Sequence, residues 1–423
     1  MLAHSPPLPL IIDYQLYLED DITAEDEEGA ILALKQYDRV LRVRLVMSVT
    51  SLQKLIAAMD DEYLIPEYLI IGHLEEDSSS MLSFPETLQA PRLRHLALSG
   101  LTLQIGSRLL TTAVNLVTLY LFMFHPSTYF HPNTLLQWLA SMPQLETLIF
   151  AIVFPFPNRV VERQLTHMST MTAVALPNLH HLTFQGVTTY LEEFVRRITA
   201  PRLEKVQIEM FNQLTFSVPR LLQFVSTTEN LRFKSAKVKF SEKEVDVKVY
   251  PHEADKTYAL SINVNCWHLD CQVSSAAQLS NSLSPTFSAV EHLTLEHSVH
   301  SQSSEEHNEA GPTEWRKLLK PSRNVKTLRI AEGLVKELSR CLELEGGELP
   351  SELLPELQEL TYSGSSNTGD TFTSIIDARR DAGRSIAMIR RSPSPDLGTS
   401  AVSSTEPSSI TPALGKAGSD LDT

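Results

Sequence analysis

At 423 residues and 47.4 kDa the chain exceeds the size at which one compact core stops growing, so it folds as two domains or as one elongated repeat array. Its 51 carboxylates against 36 Lys and Arg leave a formal charge of −15, which repels a nucleic-acid backbone and an anionic membrane unless the basic groups segregate. Only 15 glycines, with no G-x-G-x-x-G and no G-x-x-x-x-G-K-S/T, argue against a glycine-rich phosphate cradle. Three cysteines are too few for a disulfide framework, which fits a reducing compartment. The opening Met1-Leu2-Ala3-His4-Ser5-Pro6-Pro7 lacks a basic, then apolar, signal segment, and the longest apolar run, 109–124, is broken by Thr and Asn. The expectation is a soluble chain, cytoplasmic or nuclear, with neither nucleic acid nor membrane as a partner.

In chain order, Thr23 to Gln36 is predicted helical, with Ile31, Leu32 and Leu34 behind an acidic first turn (Glu25, Asp26, Glu27, Glu28). Beyond it an L-x-x-Φ-x-Φ frame recurs, where Φ is apolar. Weak copies stand at Val40, Val43, Leu45 and at Pro66, Leu69, Ile71. Strong ones follow at Leu93-Leu96-Leu98, Leu116-Leu119-Leu121, Leu145-Leu148-Phe150, Leu179-Leu182-Phe184 and Leu203-Val206-Ile208. Three more come late: Val290-Leu293-Leu295, Val325-Leu328-Ile330 and Leu357-Leu360-Tyr362. Five of the frames follow a proline two residues before the first apolar position, as in Pro91, Pro143, Pro177, Pro201 and Pro355.

Frame starts lie 23 to 35 residues apart, except for one gap of 87 that holds two degenerate frames, Ser235-Val238-Phe240 and Thr257-Leu260-Ile262. The last two frame residues point the same way from a short strand. Such a strand cannot bury its apolar edge alone, and parallel stacking of units buries a continuous core. Intervals of this size with this pattern predict an α/β fold: an irregular leucine-rich-repeat solenoid of about ten to twelve units, a horseshoe of parallel strands with helical connections.

Helices are expected between strands at Asn133 to Ala140, with Asn133 as cap, and at Tyr190 to Ile198, with Glu192, Glu193, Arg196 and Arg197 facing water. Asp270 to Leu283 and Thr313 to Leu319 are further candidates. The regular repeat places Asn or Cys three residues past the last strand position; here those positions hold Leu101, Phe124, Val187 and Phe211 among others, so no ladder is expected there. Alternation at Val245, Val247, Val249 and at Leu260, Ile262, Val264 predicts a β-hairpin excursion around Pro251 to Thr257. The organisation is thus a repeat block over 1–231, degenerate repeats with the hairpin over 232–266, a second block over 267–389 and a disordered Ser/Thr/Pro tail over 390–423.

The order of several segments resembles the F-box/leucine-rich-repeat proteins of mushroom-forming fungi. They are Leu2 to Asp13, Asp21-Ile22-Thr23-Ala24-Glu25-Asp26, the Pro-x-Leu strand starts, and Thr313 to Leu319 before Asn324-Val325-Lys326-Thr327-Leu328. The resemblance implies the substrate-recognition part of a ubiquitin-ligase receptor whose repeats hold a protein substrate. The family's L-P-x-E-I/L-L/W-x-x-I/V opening is not found ahead of the Ser5-Pro6-Pro7 segment, so a Skp-type adaptor would bind only through a cryptic or separately supplied F-box. The alternative is a stand-alone repeat scaffold with no ligase role.

Side chains alternating with the core leucines are expected on the concave face. The candidate partner-binding set is His95, Thr118, Tyr120, Phe122, Thr147, Ile149, His181, Thr183, Lys205, Gln207, Glu209, His292, Thr294, Glu296, Arg329 and Glu359. Tyr120 and Phe122 among polar neighbours have the look of an aromatic anchor with a polar rim, although exposed aromatics often only cover strand surface. Cys266-Trp267-His268-Leu269-Asp270-Cys271 lacks a second ligand arm for zinc nearby, His297, His300 and His307 with Glu296 are expected on a Ser-rich loop, and no metal or other cofactor is expected. No G-x-S-x-G elbow occurs, and the acidic runs Glu75-Glu76-Asp77 and Glu305-Glu306 read as solvated loops, so no enzyme is expected. Ser392 and Ser394, each before Pro, are candidate phosphorylation sites beside a basic cluster of Arg379, Arg380, Arg384, Arg390 and Arg391.

Overall fold

The computed structural model describes residues 8–15, 22–36, 38–59, 66–73, 82–85, 87–103, 106–124, 128–152, 173–211, 217–228, 230–231, 233–298, 310–343, 352–363 and 372–391. Within them each apolar frame forms a strand, because alternation at period two buries one edge of the segment and leaves the other to solvent. In the main sheet the first eight strands along the chain are β1 (Leu10–Gln15), β2 (Val40–Met47), β3 (Tyr68–His73), β4 (His95–Ser99), β5 (Thr118–Met123), β6 (Thr147–Ile152), β7 (His181–Gly186) and β8 (Lys205–Met210). Next come β9 (Ser235–Ser241), β10 (Glu244–Tyr250) and β11 (Leu260–Asn265), then β12 (His292–Ser298), β13 (Thr327–Ile330), β14 (Glu359–Ser363) and β15 (Ala387–Arg391).

These fifteen strands make one mostly parallel sheet, consistent with a leucine-rich-repeat array. Spatial order follows chain order except that β8 is succeeded by β11, β10, β9 and then β12. Frame positions stack in register. Val43, Leu69, Leu96, Leu119, Leu148, Leu182 and Val206 form one row, each at most 1% exposed. Leu45, Ile71, Leu98, Leu121, Phe150, Phe184 and Ile208 form the next. The helices add their apolar stripes to the same core, as with Leu52 and Leu55, Leu135 and Leu136, Tyr190 and Phe194. Around Phe150 the rings of Phe184, Tyr190 and Phe194 lie with centroids 4.9, 5.6 and 5.2 Å away.

The expected helices form at Ala24–Leu34, Pro132–Leu139, Thr188–Val195, Leu269–Ser282 and Pro312–Leu319. Thr23 Oγ1 caps the first by accepting from the Asp26 amide at 3.1 Å. The cap of the second is His131, not Asn133: His131 Nδ1 accepts from the Asn133 amide at 3.1 Å, and Pro132 occupies the first helical turn. Two of the side chains expected to face water turn inward. Arg197 is buried, pairs with Glu193 at 3.1 Å and also bonds Asn133. Glu192 accepts from the amides of Arg220 and Leu221 at 2.8 and 2.9 Å, capping the start of the Pro219–Thr227 helix of the next unit.

An asparagine ladder does exist, at a different position from the regular one. The residue just before the first frame position is Asn115, Asn178 or Asn324 in three units, and Asn230 takes the same part in the turn that leads to β9. Each donates through Nδ2 to a carbonyl of the preceding unit: Pro91 at 3.0 Å, Pro143 at 3.1 Å, Pro201 at 3.3 Å and Ser288 at 2.7 Å. Every acceptor sits two residues before its own frame start, so one hydrogen bond links equivalent turns of adjacent units. These turns connect helix to strand, and their carbonyls have no ladder partner of their own.

The segment over residues 235–265 does not leave the array. β10 runs antiparallel between β9 and β11, while β11 pairs parallel with β8 and β9 parallel with β12. The three strands thus fill an in-line stretch of the sheet. Leu260 and Ile262 hold the frame opposite Val206 and Ile208. On β9 the frame falls on Ala236 and Val238, opposite Leu293 and Leu295. That is two residues earlier than Ser235-Val238-Phe240 implied, a shift that keeps every side chain on its face.

A strand at Ala387–Arg391 extends the sheet beyond β14. The tail from 392 on, with Ser392 and Ser394, lies outside the described residues. Arg379 leaves the proposed basic cluster altogether: it is 1% exposed and donates to the carbonyls of Leu353 and Leu354. Among the described residues no helix is long and apolar enough to cross a membrane.

Candidate interaction face

With the frame residues and helices sharing one core, the opposite side of the sheet carries the alternate side chains, mostly half-buried. The strand register sorts the sixteen candidates into rows. His95, Thr118, Thr147, His181 and Lys205 form one row. Tyr120, Ile149, Thr183 and Gln207 form the second, and Phe122 and Glu209 belong to the third. His292, Thr294 and Glu296 stand on β12, Arg329 on β13 and Glu359 on β14. The antiparallel strands separate this second group from the first.

Six strands, β2 to β7, present eighteen outward positions without a single Asp or Glu. Their formal charges are Arg42 and Arg44 on β2, neither of them among the residues singled out from sequence. Arg42 lies over the Tyr68 ring, with its guanidinium carbon 4.6 Å from the centroid, and Tyr68 tilts against His95 at 5.7 Å. Arg44 is half-buried, and its Nε is buried without a hydrogen-bond partner. The two histidines of this stretch are held neutral. Burial, then the Lys205 charge, pulls His181 down to about 4, and its Nε2 sits 3.1 Å from Thr183 Oγ1. Burial, then Arg94 and Arg42, lowers His95, against the opposing pull of Glu146 and Glu67 at the rim.

From β8 onward the same face is densely ionic. Glu209 accepts from Gln185 at 3.1 Å and from Asn265 at 3.5 Å, and burial raises its pKa. Asp246 pairs with Lys248 and accepts from Ser261 Oγ at 3.1 Å. Burial alone would lower the Lys248 pKa; the Asp246 hydrogen bond and charge raise it overall. Asn263 donates to Glu244 at 2.8 Å, and Lys237 pairs with Glu296 at 2.7 Å.

The turn between β10 and β11 folds back over this region. Tyr258 donates to Gln207 at 2.7 Å while Lys205 and Lys248 stand 4.7 and 5.5 Å from its ring centroid. Glu253 reaches Arg329 at 2.5 Å and His292 at 3.5 Å. None of these strap contacts was foreseen, because they join residues far apart in sequence with no motif between them.

The Cys266 to Cys271 segment is divided by its surroundings. Cys266 is buried, its thiol pushed up to about 11 by burial, while Cys271 is exposed. Among the described residues no group of three or more His, Cys, Asp or Glu is arranged to hold a metal. His300, His307, Glu75 to Asp77 and Glu305-Glu306 lie outside the described residues.

No known protein family matches the chain, and no curated protein does. Among solved structures it is similar to the leucine-rich repeat-containing protein LegL7 from Legionella pneumophila, at 13% identity over 83% of this chain and 94% of that one, with a TM-score of 0.29. A likeness at that score carries no argument. The repeat-array reading stands on the frame, its register and the parallel sheet.

Proposed function

We propose that this chain is a non-enzymatic docking module that holds another protein on the outward face of its sheet. One observation carries the reading: an extended sheet face that the described helices leave open and on which β2 to β7 set aromatic and aliphatic side chains among polar ones. Apolar anchors with a polar surround are what a protein interface concentrates. Tyr120, Phe122, Ile149 and Ile70 are the anchors.

Recruitment of a substrate for ubiquitination is the finer form of this proposal. It is supported by the order of the sequence segments from Leu2 to Leu328, and binding of the full chain to a Skp-type adaptor tests it. Without such binding the chain is a scaffold in its own right. The docking role is tested by recovering cross-linked partners from cells. The intact chain and a helix-side variant, Gln53→Arg, are expected to give the same adducts, and the double variant Y120R/I149R is expected to lose them. Adducts that survive Y120R/I149R and vanish with Gln53→Arg would place docking on the helical side.

A further inference from the structure

From the arrangement of Arg42, Arg44 and the apolar anchors we infer that the β2–β7 face takes an acidic segment of a partner protein, one whose carboxylates flank leucine-like side chains. The inference deepens the docking proposal and rests on it. Electrostatics comes first. In a chain of net charge −15, the outward positions of β2 to β7 offer an anionic group two guanidinium groups and no carboxylate, the one acid in register with them being Asp13 on the neighbouring β1.

The nearest acid is Asp13, exposed on the edge strand β1 and opposite Arg44 in register, and Glu67 and Glu146 are exposed on the turns that lead into β3 and β6. Neither arginine makes an ion pair among the described residues, and Arg44 keeps a buried Nε without an acceptor. A half-buried guanidinium short of an acceptor favours a carboxylate, which can take two of its N–H groups at once.

Geometry sets the spacing. Arg44 on β2 and Tyr120 on β5 occupy one register row, three strands apart. Strands lie about 4.8 Å from their neighbours, so the separation is about 14 Å, or about four residues of a segment laid across the strands in extended form. Ile149 is the next residue along that row after Tyr120, and Phe122 stands beside it. An acidic cluster about four residues from a pair of leucines therefore meets charge at one end and apolar surface at the other. Nucleic acid fits less well, since its phosphates would also meet the ionic half of the face and the acidic remainder of the chain.

The test uses the full chain and fluorescence anisotropy with a labelled peptide of roughly ten residues, in which a run of Glu precedes a Leu pair by about four residues. The control replaces each Glu with Lys, and a labelled oligothymidylate serves as the nucleic-acid probe. The Glu peptide is expected to bind at least about tenfold more tightly than the Lys peptide, with a preference that shrinks as salt is added. The variant R42E/R44E is expected to reverse the preference, a gain of binding that misfolding cannot produce. Equal binding of the two peptides, an unchanged preference in R42E/R44E, or tight binding of oligothymidylate alone would overturn the inference. Partners that still cross-link through Tyr120 while the two peptides bind equally would leave the docking module standing and remove only its acidic ligand.

Discussion

The two halves of the outward face share one backbone repeat and one core, yet they dispose of their polar groups in opposite ways. From β8 to β14 the charged groups pair within the chain, Asp246 with Lys248 and Ser261, Lys237 with Glu296, Glu253 with Arg329, although Arg329 Nε, like Arg44 Nε, is buried without a hydrogen-bond partner. From β2 to β7 it leaves two guanidinium groups and several aromatic and aliphatic side chains without such partners among the described residues. The lesson is one of division of labour. Polar groups already paired within the chain contribute to stability and gain little from a partner, because a new contact must first break an old one. Groups left unpaired contribute little to folding and are free to contribute to binding.

The strongest test of that division compares Asp246→Ala with Arg44→Ala by chemical denaturation. Asp246 is 13% exposed, and its removal strands the Lys248 ammonium and the Ser261 hydroxyl. A loss of about 2–4 kcal/mol is expected for Asp246→Ala and a change within about 0.5 kcal/mol for Arg44→Ala. Equal losses would erase the distinction.

Next in size is Gly100→Ala, in the turn after β4. Gly100 has φ +72°, its carbonyl lies 2.9 Å from His73 Nε2, and an added Cβ would fall 2.1 Å from that nitrogen. A thermal-melt loss equivalent to about 2–3 kcal/mol is expected, which would show that the open half is held by backbone and core rather than by its face.

The pH dependence follows in magnitude. The His181 pKa is depressed from 6.5 to about 4 in the folded chain, so the unfolded chain takes up this proton first on acidification. Stability contributed by neutral His181 is complete above about pH 6.5 and falls as pH drops toward 4, with His95 acting in the same sense. Allowing for partial exposure, the effect is on the order of 1–2 kcal/mol, and H181N is expected to flatten the slope of melting temperature over this window.

The smallest effect is common to both halves. Asn115→Ala on one side of the antiparallel strands and Asn324→Ala on the other each remove a single inter-unit hydrogen bond. Each is expected to cost about 1 kcal/mol by denaturation, with no difference between the halves.

The frame made much of this architecture legible. Alternating leucines declare strand and face together, so the outward set from His95 to Glu359 could be placed on strands from spacing alone. Three features stayed hidden. Arg42 and Arg44 sit in a weak frame, where Val40, Val43 and Leu45 gave no proline and no regular interval to anchor the register. The Asn ladder was overlooked because it precedes the frame, by one residue at Asn115, Asn178 and Asn324, instead of following it by three, and only pairing to Pro91, Pro143, Pro201 and Ser288 reveals it. The contacts of Glu253 and Tyr258 arise from a turn folding across strands distant in sequence, which no local pattern encodes.

The central claim is that the β2–β7 half of the face docks a protein and the β8–β14 half does not. A photo-cross-linking residue walked along one register row tests it directly, at Ala97, Tyr120 and Ile149 on one side and at Lys237 and Thr294 on the other. Adducts from the first three positions and none from the last two are the predicted result. Adducts distributed evenly along the row, or confined to Lys237 and Thr294, would contradict it.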